Sequence, residues 1–162
     1  RIEAVHEQAE AKARERQSLP VTEEQKQELA DRAAVLIHLG RYDDALASCN
    51  RAIEFKPEYA VAHSNRGVAL AKLHRHQDAV AAYDRAIALK PEYVLAYYNR
   101  ACAYARLAQR TNALAALAQA IQLDPKLRES AKTEEDFASL RDHPEFRNLL
   151  GLDEGGEDQA TA

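Results

Sequence analysis

Between residues 23 and 123 the apolar positions recur in a helical rhythm that breaks and restarts at regular intervals. Leu29, Ala33, Leu36 and Ile37 are spaced by three and four, which predicts an amphipathic helix ending near Leu39. Thr22 and Gln25 form a capping box for its start, and Gly40 is placed to stop it. Ala45, Leu46, Cys49, Ala52 and Ile53 mark the packing face of a partner helix, Tyr42 to Phe55. The same pairing is predicted at Ala60–Leu73 with His76–Leu89, and at Val94–Leu107 with Arg110–Leu123. His74 and Ala108 stand where the first pair has Gly40. Those two turns therefore either use another geometry or accept about 1 kcal/mol of strain.

The three pairs are copies of one unit. Pro57, Pro91 and Pro125 are 34 residues apart, and so are Ala45, Ala79 and Ala113, and Ala52, Ala86 and Ala120. Ala33, Gly67 and Ala101 form another small column, while Leu36, Leu70 and Tyr104, and Cys49, Tyr83 and Leu117, form larger ones. Small residues let two helices approach, and large ones fill the space between hairpins. A fixed period of helix, turn and helix is a repeat architecture. On these columns the chain resembles the tetratricopeptide repeat (TPR) family, with repeats at about 26–59, 60–93 and 94–127. The resemblance implies an all-α, right-handed superhelical solenoid.

The flanks differ from the repeats. Residues 1–17 are charged and helix-prone, with a thin stripe of Ile2, Val5, Ala9 and Ala13 that is too weak for a stable lone helix. Residues 1–21 are read as an N-terminal extension: a frayed leader, a helix packed on the first hairpin or another chain, or a stalk. Thr133 to Asp136 predict a capped start to a short helix carrying Phe137 and Leu140. A second short helix, Pro144 to Leu150, carries Phe146, Leu149 and Leu150. Phe137, Leu140, Phe146 and Leu149 are expected to cover the outer face of the last hairpin, which makes 128–152 a helical cap. Asp136, Phe137, Leu140, Arg141, Pro144, Phe146, Leu149 and Leu150 resemble the segment that ends many bacterial TPR proteins, which points to a bacterial source. Residues 153–162 are expected to be a disordered acidic tail.

Composition narrows the function. Hydrophobic residues make up 46% with only five glycines, which fits an all-helical chain. The net charge of −4 is carried by Asp153, Glu154, Glu157 and Asp158, and the body balances 22 acids against 22 bases. A neutral body argues against broad capture of nucleic acid, which needs a basic face. No apolar run approaches the roughly 18 residues of a membrane span, and no signal peptide is visible, so a cytoplasmic location is expected. The chain starts at Arg1 and contains no methionine, which leaves room for an upstream anchor or domain. Cys49 and Cys102 fall on repeat columns and are expected as buried thiols.

No residue set points to catalysis. There is no Ser/His/Asp arrangement, glycine-rich phosphate loop or paired CxxC. His63, His74 and His76 are expected to face solvent around a turn rather than hold a metal, so no metal or cofactor is assigned. The chain is read as a non-enzymatic interaction module.

The TPR resemblance implies where a partner binds. Groove positions are the second, fifth, sixth, ninth, twelfth and thirteenth of each repeat. They give Gln27, Ala30, Asp31, Ala34, Ile37 and His38, then Val61, Ser64, Asn65, Val68, Ala71 and Lys72, then Leu95, Tyr98, Asn99, Cys102, Ala105 and Arg106. Asn65 and Asn99 are equivalent, and their amides either fix a bound peptide's backbone or bond a neighbouring hairpin. Arg32, Arg66 and Arg100 form a column that either offers a ladder of guanidiniums to an acidic partner or, as favoured here, pairs with carboxylates of the adjacent helix such as Asp84 or Glu54. TPR domains of heat-shock co-chaperones clamp a peptide's terminal carboxylate. Of the clamp positions, which hold Ala30, Ala34, Asn65, Leu95 and Asn99 here, only Asn65 matches, so heat-shock chaperone binding is not expected. The expected partner is a protein or peptide. A structural subunit that self-associates or docks into a larger membrane or photosynthetic complex, and a regulatory module of a longer enzyme, are the alternatives.

Overall fold

The computed structural model describes residues 4–8, 10–11 and 22–153. Three helical hairpins stack in sequence: α1 (Glu23–His38) with α2 (Tyr42–Phe55), α3 (Ala60–Lys72) with α4 (His76–Leu89), and α5 (Val94–Arg106) with α6 (Arg110–Leu123). A short α7 (Leu127–Thr133), a 3-10 turn (Glu135–Leu140) and α8 (Pro144–Leu149) close the stack. The fold is an all-α right-handed superhelical solenoid.

Each helix begins and ends for a local reason. Thr22 and Gln25 cap α1 reciprocally, with Oγ1 accepting from the Gln25 N–H at 3.2 Å and Oε1 accepting from the Thr22 N–H at 2.9 Å. The second helices start on another repeated device. Arg41 and Arg75 donate to Asp44 and Asp78 three residues on, at 2.8 and 2.9 Å, and in the third repeat Asn112 donates to Gln109 at 3.0 Å.

All three intra-repeat turns are Schellman motifs. Gly40, His74 and Ala108 donate to Ile37, Ala71 and Ala105, and the residues after them to Leu36, Leu70 and Tyr104. The turn residue is left-handed in each, with φ of 75° at Gly40, 60° at His74 and 56° at Ala108. The two turns without glycine thus keep the geometry and accept the strain. Ala108→Gly is expected to raise stability by about 0.5–1 kcal/mol in thermal unfolding, because it relieves a left-handed Cβ on an exposed turn.

The small columns are the closest approaches. Ala33, Ala45, Ala52, Ala79, Ala86, Ala101, Ala113 and Ala120 are fully buried. Tyr83 is buried with its ring against Gly67. Both cysteines are buried and free, and burial pushes the Cys49 thiol up to about 12.

The C-terminal region departs from expectation at its start. Leu127–Thr133 is a separate helix, which the sequence pattern did not announce because Ala131 is its one buried residue. Asp124 turns the chain into it by accepting from the Lys126 N–H at 3.0 Å. The next element is a 3-10 turn capped by Glu134, rather than a helix capped by Thr133. Phe137, Leu140, Phe146 and Leu150 are buried on Tyr98, Ala116 and Leu117 of the third repeat, with Leu149 half-buried beside them. At the other end, residues 4–8 and 10–11 are helical with Val5 exposed, while Ile2, Ala9, Ala13 and the acidic tail after Asp153 lie outside the described residues.

Candidate functional site

The first helix of each hairpin lines the inner face. α1 contacts α3 and α3 contacts α5 across repeats, more closely than successive second helices contact each other. The stack therefore curves with α1, α3 and α5 on the inside.

Along this face Gln27, Asp31, Ala34, His38, Lys72, Leu95 and Arg106 are exposed, and Val61, Asn65, Val68 and Asn99 are half-buried. Ala30, Ser64, Tyr98 and Cys102 are buried and present little surface. Several polar groups are committed within the chain. Gln27 donates to Asp31 at 2.9 Å and accepts from the Tyr59 hydroxyl. Asn65 donates its amide to the Ala30 carbonyl at 3.2 Å, bonding the neighbouring hairpin. Asn99, one period later, makes no side-chain hydrogen bond among the described residues and lines a cavity instead.

That cavity is about 280 Å³ and sits between the second and third repeats and the cap. Lys72 and His76 border it from the second repeat, Asn99, Cys102 and Arg106 from the third, and Asp136 from the 3-10 turn. Arg106 pairs with Asp136 at 3.4 Å. Burial, then the charges of Asp136 and Glu134, push the Cys102 thiol well above its ordinary range, so it is no nucleophile at neutral pH. The acids were not foreseen as groove residues, because they reach it only once the cap has docked. The signal was Asp136 immediately before Phe137, whose burial carries its neighbour to α5.

Two expectations about single residues resolve differently. Arg100 pairs with Asp84 at 2.6 Å and its guanidinium lies 5.4 Å from the Tyr97 ring centre, so this member of the arginine column is structural. His63 does not face solvent. It is buried, and its Nε2–H donates to the Pro57 carbonyl at 2.8 Å, because the start of α3 packs on the loop that closes the first repeat. Burial lowers its pKa. His74 is exposed and His76 half-buried. Among the described residues no group of three or more His, Cys, Asp or Glu is placed to hold a metal, and no helix is long and apolar enough to cross a membrane.

Tetratricopeptide repeat family models match residues 60–93 and 94–127, and a TPR repeat model matches 34–74. The chain belongs to the tetratricopeptide repeat family. TPR membership makes it a protein–protein interaction module. The matches at 60–93 and 94–127 have the bounds of the second and third repeats, while the match at 34–74 straddles the first and second. No curated protein sequence matches significantly.

Solved TPR structures share the fold. The first TPR of Spaghetti (RPAP3), bound to the HSP90 peptide SRMEEVD, is 20% identical with a TM-score of 0.64, over 83% of this chain and 98% of that one. MamA is 24% identical with a TM-score of 0.66, over 80% and 78%. The TPR2AB-domain:pHSP90 complex of yeast Sti1 is 26% identical with a TM-score of 0.63, over 92% of this chain and 53% of that one, so this chain spans about half its length. Two of these neighbours hold HSP90 peptides, and they give no support for excluding chaperone peptides here. That exclusion rests on the groove residues alone.

Proposed function

We propose that this chain binds a partner polypeptide along its concave face, as a scaffold, adaptor or assembly factor. The observation that carries this reading is the inner face itself. It leaves Ala34, His38, Lys72, Leu95 and Arg106 exposed on three adjacent helices, with Leu95 56% exposed, and offers apolar and polar contacts side by side. The peptide complexes of the TPR neighbours are consistent with it. A terminal-carboxylate clamp is not part of the reading, because Ala30 is fully buried beneath the Asn65 amide and Leu95 carries no charge.

The test is capture of partners from the source organism's lysate by the parent chain and by Ala34→Arg/Leu95→Arg, which fills the groove at two exposed positions. The expected outcome is a partner retained by the parent and lost by the folded variant. Retention by both would place binding elsewhere.

One observation favours a second reading. Val35 on α1 and Leu39 just after it are 58% and 62% exposed, an apolar edge suited to end-on docking into a larger assembly. Light scattering across concentration separates the two, since a strict monomer removes the self-associating version.

A further inference from the structure

The first hairpin bears a face that its two successors bury. Ala69 of α3 packs with Leu36, Ala45 and Leu46 of the first hairpin, and Ala103 of α5 packs with Leu70, Val80 and Tyr83 of the second. The first member of that column is Val35, and it is exposed. The adjoining Leu39 is exposed too, whereas its counterparts Leu73 and Leu107 are half-buried. A neighbouring column has a charge to satisfy. Arg100 of α5 donates to Asp84 on the preceding α4 at 2.6 Å. In the second repeat Asn50 stands at the place of Asp84, and Arg66 Nε is buried without a partner. Arg32, the counterpart on α1, makes no ion pair among the described residues and borders a depression of about 180 Å³ with Arg41, Asp44 and Arg51. Asp44 is already taken by Arg41 at 2.7 Å, and Glu28, one turn before Arg32, lies outside the lining. The depression thus sets three guanidiniums against one carboxylate.

The N-terminal segment has the complementary pattern. Residues 4–8 and 10–11 are helical, and Val5, Glu7 and Glu10 are exposed. In sequence Ile2, Val5 and Ala9 are spaced by three and four, as are Arg32, Val35 and Leu39. Glu3, Glu7 and Glu10 flank that stripe, and residues 2–11 contain no Lys or Arg. An acidic, apolar stripe therefore matches a basic, apolar edge. Both are uncovered in the same chain, so neither is spent on the other within one copy. Resting on the second reading above, we infer that the end face of the first hairpin seats residues 2–11 of a second copy. The segment takes the place that a preceding hairpin's second helix holds at the other two interfaces. Each copy supplies one segment and one seat, so two copies exchanging segments close as a dimer and leave no edge to propagate. Two short helical seats make a small interface, and a dissociation constant of about 10–100 μM is expected.

Light scattering of the full chain from about 1 μM to about 1 mM reads the dimer, beside the variants Val5→Glu and Val35→Glu. Both positions are exposed, so the melting temperature at low concentration should not change. The expected result is a monomer–dimer equilibrium in the parent that each variant weakens at least about tenfold. Isotope-labelled Val5→Glu, which keeps its seat, is then titrated with unlabelled Val35→Glu, which keeps its segment, and followed by amide NMR. Saturable shifts over residues 32–39 are expected, and none when unlabelled Val5→Glu is added instead. A dimer lost by Val35→Glu but kept by Val5→Glu, or a silent mixture of the two variants, would overturn this inference alone and leave end-on docking standing. A parent that stays monomeric to about 1 mM would overturn it together with the self-associating version of that reading. Shifts over residues 32–39 on introducing Val5→Glu into such a monomer would show instead that the segment covers its own chain.

Discussion

Phe137→Ala is expected to destabilise the chain by about 3–5 kcal/mol. Phe137 is fully buried, edge-on to Tyr98 at 5.7 Å and tilted against Phe146 at 5.8 Å. Alanine forfeits the transfer free energy of the ring and leaves a void that the paired aromatics cannot close. In a solenoid each unit leans only on its neighbours, so a loosened cap lays bare the outer face of the third repeat. Denaturant unfolding should therefore show the loss together with dye binding to exposed apolar surface. Leu39→Ala, at a residue 62% exposed, is the control and should stay within about 0.5 kcal/mol. A Phe137→Ala chain as stable as the parent would mean that the cap does not close the core.

Gly67→Leu should cost about 2–3 kcal/mol through overpacking. A Cβ at this position would lie 2.5, 2.7 and 2.8 Å from Cε1, Cδ1 and Cζ of Tyr83, and that ring, 1% exposed, has nowhere to go. Even Gly67→Ala should lose stability, although alanine gains about 1 kcal/mol of helix propensity. The repeats supply their own control. The small column reads Ala33, Gly67, Ala101 while the column it meets reads Cys49, Tyr83, Leu117, so glycine faces the largest residue. Gly67→Ala/Tyr83→Leu reproduces the third repeat's pair. It is expected to be more stable than Gly67→Ala alone, a coupling measurable in a double-mutant cycle. Additive effects would show that the ring is not the obstacle.

The repeat register was legible because close packing writes itself into sequence at a fixed period. Alanine columns, Pro57, Pro91 and Pro125 and the turn at Gly40 locate six helices to within a residue. What was not legible depended on contacts between distant segments. His63 looked like a surface residue until its repeat was seated on the loop before it. Asn65 and Asn99 are identical in repeat position, and only the tertiary structure separates a bridging amide from an uncommitted one. The cap's aromatic residues declared their burial, but α7 has no apolar stripe to announce it, and the place of Glu134 and Asp136 beside the groove follows from docking.

The central claim, that the concave face is where the partner sits, is tested most directly by photo-crosslinking in a lysate of the source organism. A photoreactive residue would replace Leu95 on the inner face or Ala88 on α4, both exposed. The account predicts a discrete mass-shifted product from position 95 and none from position 88. A product from position 88 alone would contradict it and move binding to the outer face.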